Sequence, residues 1–174
     1  MKQTRKEKIL IVDDSELNRA ILADMLGEEY DIVEAENGLE GVGILQKMGT
    51  DLSLVLLDIV MPEMDGFGML DIMHQNHWID DIPVIMISAE SGSSHIERAY
   101  ELGVTDFIAR PFDALIVHRR VVNTILLYAK QKKLVGMVTE QIYEKERQSD
   151  MMIDILSHIV EFRNGESAQH VLNV

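Results

Sequence analysis

Two adjacent aspartates, Asp13 and Asp14, follow one short apolar run, and a third, Asp58, follows another. If those runs are neighbouring strands, three carboxylates meet in one pocket. Carboxylates so close raise each other's pKa, so at neutral pH the pocket needs a proton or a cation. Hard oxygen donors with positions left for water suit Mg²⁺ or Mn²⁺ better than zinc. Ser88 adds a hydroxyl at the end of a further run, and Arg110 adds a fixed positive charge. Carboxylates, a divalent cation, a hydroxyl and a guanidinium together make a site for a phosphoryl group. Singly, each residue has a plainer reading: an Asp forms turns or caps helices, a Ser caps, an Arg decorates a surface. Their joint placement, at the ends of four different runs, is what points to chemistry.

These residues need a scaffold that brings strand ends together. Branched apolar runs at residues 9–12, 30–33, 52–57, 83–87 and 105–109 alternate with helix-period segments at 16–26, 39–48, 67–75 and 92–102, and a last helix starts near Asp113 or Ala114. In the first helical segment Leu17, Ala20, Ile21 and Met25 fall at helical spacing. Strands that are apolar on both faces and alternate with helices form a parallel sheet covered on both sides, a doubly wound α/β fold. Ligands of such sheets bind at the carboxyl ends of the strands, near a topological switch point. The residues just past the strands are Asp13, Asp14, Glu34, Asp58, Ser88 and Arg110.

Four segments carry a family resemblance. Ile11-Val12-Asp13-Asp14-Ser15, Leu56-Leu57-Asp58-Ile59-Val60-Met61-Pro62-Glu63-Met64-Asp65-Gly66, Ile87-Ser88-Ala89 and Asp106-Phe107-Ile108-Ala109-Arg110-Pro111-Phe112 resemble, in order and spacing, the receiver domain of two-component response regulators. The resemblance spans residues 7–129 and implies a (βα)₅ flavodoxin-like fold that takes a phosphoryl group from a sensor histidine kinase or phosphotransfer protein. It implies Asp58 as phosphoacceptor. It implies Asp14 as a direct Mg²⁺ ligand, Asp13 as one mainly through water, and Asp58 and the Val60 carbonyl as further ligands. Ser88 would bond a phosphoryl oxygen, and Phe107 would be the aromatic switch. The family carries Lys where this chain has Arg110, which keeps the charge but is bulkier and forked. A flavodoxin-like FMN binder is the poorer alternative, because its phosphate loops are rich in glycine and hydroxyls where these strand ends carry acids.

Helical periodicity continues past the fifth strand through Val121, Ile125, Tyr128, Val135, Val138 and Ile142, with polar gaps at Lys132 and Thr139. This short seam predicts pairing with a second copy, or else packing on residues 151–162 as a helical hairpin. Gln148-Ser149-Asp150 reads as a break and N-cap, and Arg163-Asn164-Gly165 as a stop. Residues 130–150 are then a helical connector and 151–174 a separate piece. Residues 160–174 resemble the opening of an HD-GYP-type phosphodiesterase domain, which implies Glu166 and His170, at i and i+4, as metal ligands. The defining His-Asp pair does not occur, so the chain reads as the regulatory part of a larger protein, ending near the start of a truncated output domain, with cyclic-dinucleotide hydrolysis confined to a longer parent.

The 174 residues carry 16 Lys+Arg against 30 Asp+Glu, a net charge of −14, which argues against nucleic acid as a partner. Apolar residues make up 47% of the chain, enough for a real core. Cysteine is absent, which excludes disulfides and thiolate chemistry. No apolar run is long enough for a membrane span or a signal peptide, and a cytoplasmic protein is the default. The 11 methionines read as adaptable core filling.

Overall fold

The computed structural model describes residues 4–89 and 93–172, with side chains described as far as residue 162. Five strands alternate with five helices: β1 Lys8–Val12, α1 Glu16–Leu26, β2 Asp31–Ala35, α2 Gly38–Met48, β3 Leu52–Asp58, α3 Gly66–Gln75, β4 Val84–Ser88, α4 Ser93–Glu101, β5 Asp106–Ala109 and α5 Ala114–Leu172. The strands form one sheet in the order β2-β1-β3-β4-β5, and every pairing is parallel. This is the doubly wound α/β arrangement expected from the alternation.

Period-two alternation assigns each strand residue to a face. Leu10, Val12, Val55, Leu57, Val84 and Met86 pack on one side with Met69, Leu70 and Met73 of α3. Ile9, Ile11, Leu54, Leu56, Ile85 and Ile87 pack on the other with Leu22 and Leu26 of α1 and Val117, Val121 and Ile125 of α5. Both faces being covered explains the unbroken apolar runs. The order of winding reverses between β1 and β3, with β2 added on one side and β3 to β5 on the other, so the switch point lies where Asp13 and Asp58 leave the sheet.

Local chemistry sets the boundaries. Ser15, Asn37 and Asp65 cap α1, α2 and α3 by accepting the backbone N–H of Asn18, Glu40 and Gly68. Asn37-Gly38 is thus a helix start. In α2, a Cβ on Gly41 would lie 2.8 Å from Met69 Sδ, so the glycine lets α2 close onto α3. Gly103, at φ 99°, lets the chain leave α4 in a conformation other residues avoid.

Three expectations need correction. The buried residues of α1 are Arg19, Leu22 and Leu26, whereas Leu17 is 69% exposed. The inward stripe is therefore turned away from the Leu17–Ile21–Met25 row. Strand β2 runs on to Ala35, so Glu34 lies within it, not past it. Finally, α5 continues without interruption through 148–150 and 163–165. Ser and Asp cost a helix interior only tenths of a kcal/mol each, and the Glu, Lys, Arg and Gln residues around them favour it. The break, the N-cap and the hairpin alternative are accordingly not formed.

The chain divides into two compact units, one ending at Ala129 and the other starting at Lys130. In the second unit every residue described, 130–162, is exposed. No helix among the described residues is long and apolar enough to cross a membrane.

Candidate functional site

Register places the acids. Val12 pairs with Leu57, so Asp13 and Asp58 stand at adjacent strand ends. One carboxylate oxygen from each of Asp13, Asp14 and Asp58 lies within 4.8 Å of the others. Asp13 and Asp58 are buried and Asp14 is exposed. The Ser15 backbone N–H donates to Asp13 Oδ1 at 2.9 Å, while Asp13 Oδ2 is buried without a hydrogen-bond partner. Burial, followed by the neighbouring charge of Asp13, pushes the Asp58 carboxyl up from 3.8 to about 6, against the opposing pull of Arg110. Burial also raises Asp13. An orphaned buried oxygen and acids that resist ionisation fit a small divalent cation with hard oxygen ligands.

The loop after β3 is tightly held. The Ile59 N–H donates to the Ile87 carbonyl (3.3 Å), and the Gly66 N–H donates to the Ile59 carbonyl (2.8 Å). A Cβ on Gly66 would come within 2.3 Å of the Asp58 carbonyl oxygen, so only glycine permits this approach. Glu63 takes a positive φ of 64° while the Met64 N–H bonds the Pro62 carbonyl, a one-residue turn that carries some strain. Val60, in this loop, is 76% exposed and lines the pocket.

Arg110 leaves the end of β5 and reaches across β4. Its Nη2 donates to Asp58 Oδ1, and its Nε is buried without a partner. The Arg110–Pro111 peptide is cis. Ser88 and Arg110 line a cavity of about 270 Å³ with Asp14, Asp58 and Val60. Phe107 is half-buried and is not part of that lining. It packs against Tyr100, with ring centroids 5.5 Å apart, and borders a second cavity that also touches Ser88 and Arg110. The structure thus brings together Asp13, Asp14, Asp58, Val60, Ser88 and Arg110, with Phe107 alongside. Glu34 is elsewhere, paired with Arg19. The side chains of Glu166 and His170 lie outside the described residues.

Two residues at the site escape the sequence reading. Arg19 Nη1 donates to the Asp13 carbonyl at 2.7 Å. No local signal marks it, because its burial is set by strand ends that are distant in sequence. His95, in the first turn of α4, lines the pocket and stacks on Phe67 at 5.9 Å. Nothing in its local sequence marks it.

The chain is similar to known proteins. The family model of the response regulator receiver domain matches residues 9–122. The chain is 32% identical over 171 residues to a Vibrio cholerae serotype O1 protein named "Probable cyclic di-GMP phosphodiesterase"; the match covers 94% of this chain and 38% of that protein. It is 31% identical over 120 residues to a chemotaxis protein CheY homolog of Campylobacter jejuni, covering 68% of this chain and 92% of the relative. Among solved structures, the chemotaxis response regulator CheY4 of Vibrio cholerae aligns with a TM-score of 0.64 at 22% identity, covering 69% of this chain and 99% of that one. That likeness shows the fold.

Proposed function

The chain belongs to the response regulator receiver family, and on that premise we propose that it accepts a phosphoryl group on Asp58 from a sensor histidine kinase or phosphotransfer protein. The observation that carries this reading is the three-carboxylate cluster at the β1 and β3 ends with Arg110 on the acceptor. An Asp58 carboxylate oxygen attacks phosphorus, the P–N bond to the donor imidazole breaks, and the ring nitrogen keeps the electron pair. Asp13, Asp14, Asp58 and the Val60 carbonyl are the proposed ligands of Mg²⁺ or Mn²⁺. The cation, when bound, neutralises charge between the carboxylate and the incoming dianion. Ser88 donates its hydroxyl to a phosphoryl oxygen, and Arg110 turns its guanidinium from Asp58 to the phosphoryl group. Ser88 and Phe107 are the proposed switch, since both border the cavity beside the acceptor pocket. Receivers work where kinases charge their histidine from ATP, so the proposed location is the cytoplasm.

Intact mass after treatment with acetyl phosphate tests the acceptor. One phosphoryl group is expected with Mg²⁺, and none with EDTA or in Asp58→Asn. Equal labelling of the Asn variant would move the site elsewhere.

For the output we propose a relay through α5 to a cyclic di-GMP phosphodiesterase in a longer parent, with α5 pairing two copies. The support is the Vibrio cholerae relative, of whose length this chain spans 38%, and the exposed apolar residues Val135, Val138 and Ile142. Glu166 and His170 are the proposed first ligands of that domain's metal centre.

A further inference from the structure

Asp13 is fixed at three points. Its N–H donates to the Ala35 carbonyl at 3.1 Å, its carbonyl accepts from Arg19 Nη1 at 2.7 Å, and its Oδ1 accepts the Ser15 N–H at 2.9 Å. Oδ2 is its one buried atom without a partner. Arg19 is itself 8% exposed and is held from β2 and the residues just past it: Nε bonds Glu34 Oε1 at 3.2 Å, and Nη2 lies 4.0 Å from Glu36 Oε1. A line of charged hydrogen bonds therefore runs from the end of β2, through a guanidinium, to the backbone of the turn that carries two of the three acids.

We infer that Arg19 is a positioning residue of the cation site, fixing the Asp13–Asp14 turn through the Asp13 carbonyl and so setting where both carboxylates point. The inference rests on the cation reading given above. Two physical effects oppose each other here. A buried positive charge beside a divalent ion repels it, so on charge alone removing Arg19 strengthens binding, the more so because Glu34 and Glu36 are left unbalanced. A bond that orients ligands favours binding, and losing such an outer partner costs about 10–100-fold in metal affinity. The arrangement of bonds assigns the second effect to Arg19: an arginine serving only to balance Glu34 has no need to reach the Asp13 carbonyl.

The sign of the change decides. Mn²⁺ binding to the full chain is followed by the EPR signal of free Mn²⁺, and thermal melts in EDTA check folding. Wild type binding one ion, with Asp14→Asn losing it, establishes the site; no binding by wild type overturns the cation reading and this inference with it. With the site established, Arg19→Met is expected to bind about tenfold more weakly. Arg19→Lys, which keeps a donor for the carbonyl but loses the fork that also bonds Glu34, is expected to bind more tightly than Arg19→Met and more weakly than wild type. Unchanged or tighter binding in Arg19→Met leaves the cation site standing and overturns the positioning role. If Arg19→Met does not fold, the double variant Arg19→Met/Glu34→Gln, which removes the charge that Arg19 balances and leaves no donor at position 19, decides by the same sign: weaker binding supports the role, and equal or tighter binding overturns it.

Discussion

Replacing Asp58 by Asn should make the metal-free protein more stable. The folded state holds the Asp58 carboxyl at about 6 against an ordinary 3.8. Two pKa units correspond to about 3 kcal/mol at 1.36 kcal/mol per unit, net of the attraction from Arg110. Because the folded pKa is raised, the folded state binds this proton more tightly than the unfolded chain. Stability is therefore full below about pH 4 and is lost as pH rises through about 6. Asn is nearly isosteric and uncharged, so it removes the whole penalty at pH 8 and about half as much at pH 5, where the folded carboxyl is still mostly protonated but the unfolded one is already ionised. The pull of Arg110 is already inside that figure, but an amide fits the guanidinium less well than a carboxyl does because it also presents an NH₂ group, so 3 kcal/mol is a ceiling and about 1–3 kcal/mol is the expected range. At roughly 4 °C per kcal/mol this is about 4–12 °C in Tm. Thermal melts of both proteins in EDTA at pH 5 and pH 8 measure it. Saturating Mg²⁺ should then close the gap, since a ligand at 100 times its Kd stabilises wild type by about 2.7 kcal/mol and the variant by less. An Asn variant that melts at or below wild type at pH 8 in EDTA would refute the reasoning.

Two other perturbations follow from the same geometry. Arg110→Lys should change the rate of labelling by acetyl phosphate by less than about tenfold, or ~1.4 kcal/mol, because charge is kept and only the fork is lost; intact-mass time courses check this, and a hundredfold gain would mean the native arginine impairs the acceptor. Paired Val138→Glu and Ile142→Glu substitutions in the exposed α5 seam should leave the melt of the sheet unit unchanged while converting a dimer to a monomer in sedimentation at tens of micromolar, and a wild-type chain that is already monomeric, with and without a phosphate mimic, counts against the pairing.

The sheet and the pocket were legible because short-range rules and long-range placement agreed there. An apolar run that is buried on both faces ends at the first charged residue, and in this chain that is Asp13 after β1 and Asp58 at the end of β3. Helix α1 shows where the signal failed. Leu17, Ile21 and Met25 make one acceptable row and Leu22 and Leu26 make another, and the row that won includes a buried arginine that pattern reading scores as surface. The burial of Arg19 is set by the strand ends it bonds, which are distant in sequence. His95 reaches the pocket through the placement of α4 on Phe67, again a tertiary fact. At 148–150 the error was local: Ser149 and Asp150 are good caps but weak breakers, and their neighbours carry the helix on.

The backbone around Asp58 is locked from both sides. Its strand pairs with Ile87 on β4, the next amide is bonded to the same residue, and Gly66 is seated on its carbonyl oxygen. Amide protons at such a position exchange only when a large part of the domain opens. The atom that would change covalently is thus mounted on one of the stiffest stretches of the chain, and addition of a group there cannot be absorbed by moving the mount. Under the proposed phosphorylation, the adjustment would fall to what faces it: Arg110, just past the edge strand β5, which has a single neighbour in the sheet, and the first turn of α4. Stiffness on one side of the pocket and one-sided support on the other would direct such a rearrangement outward, toward the β5 edge of the sheet.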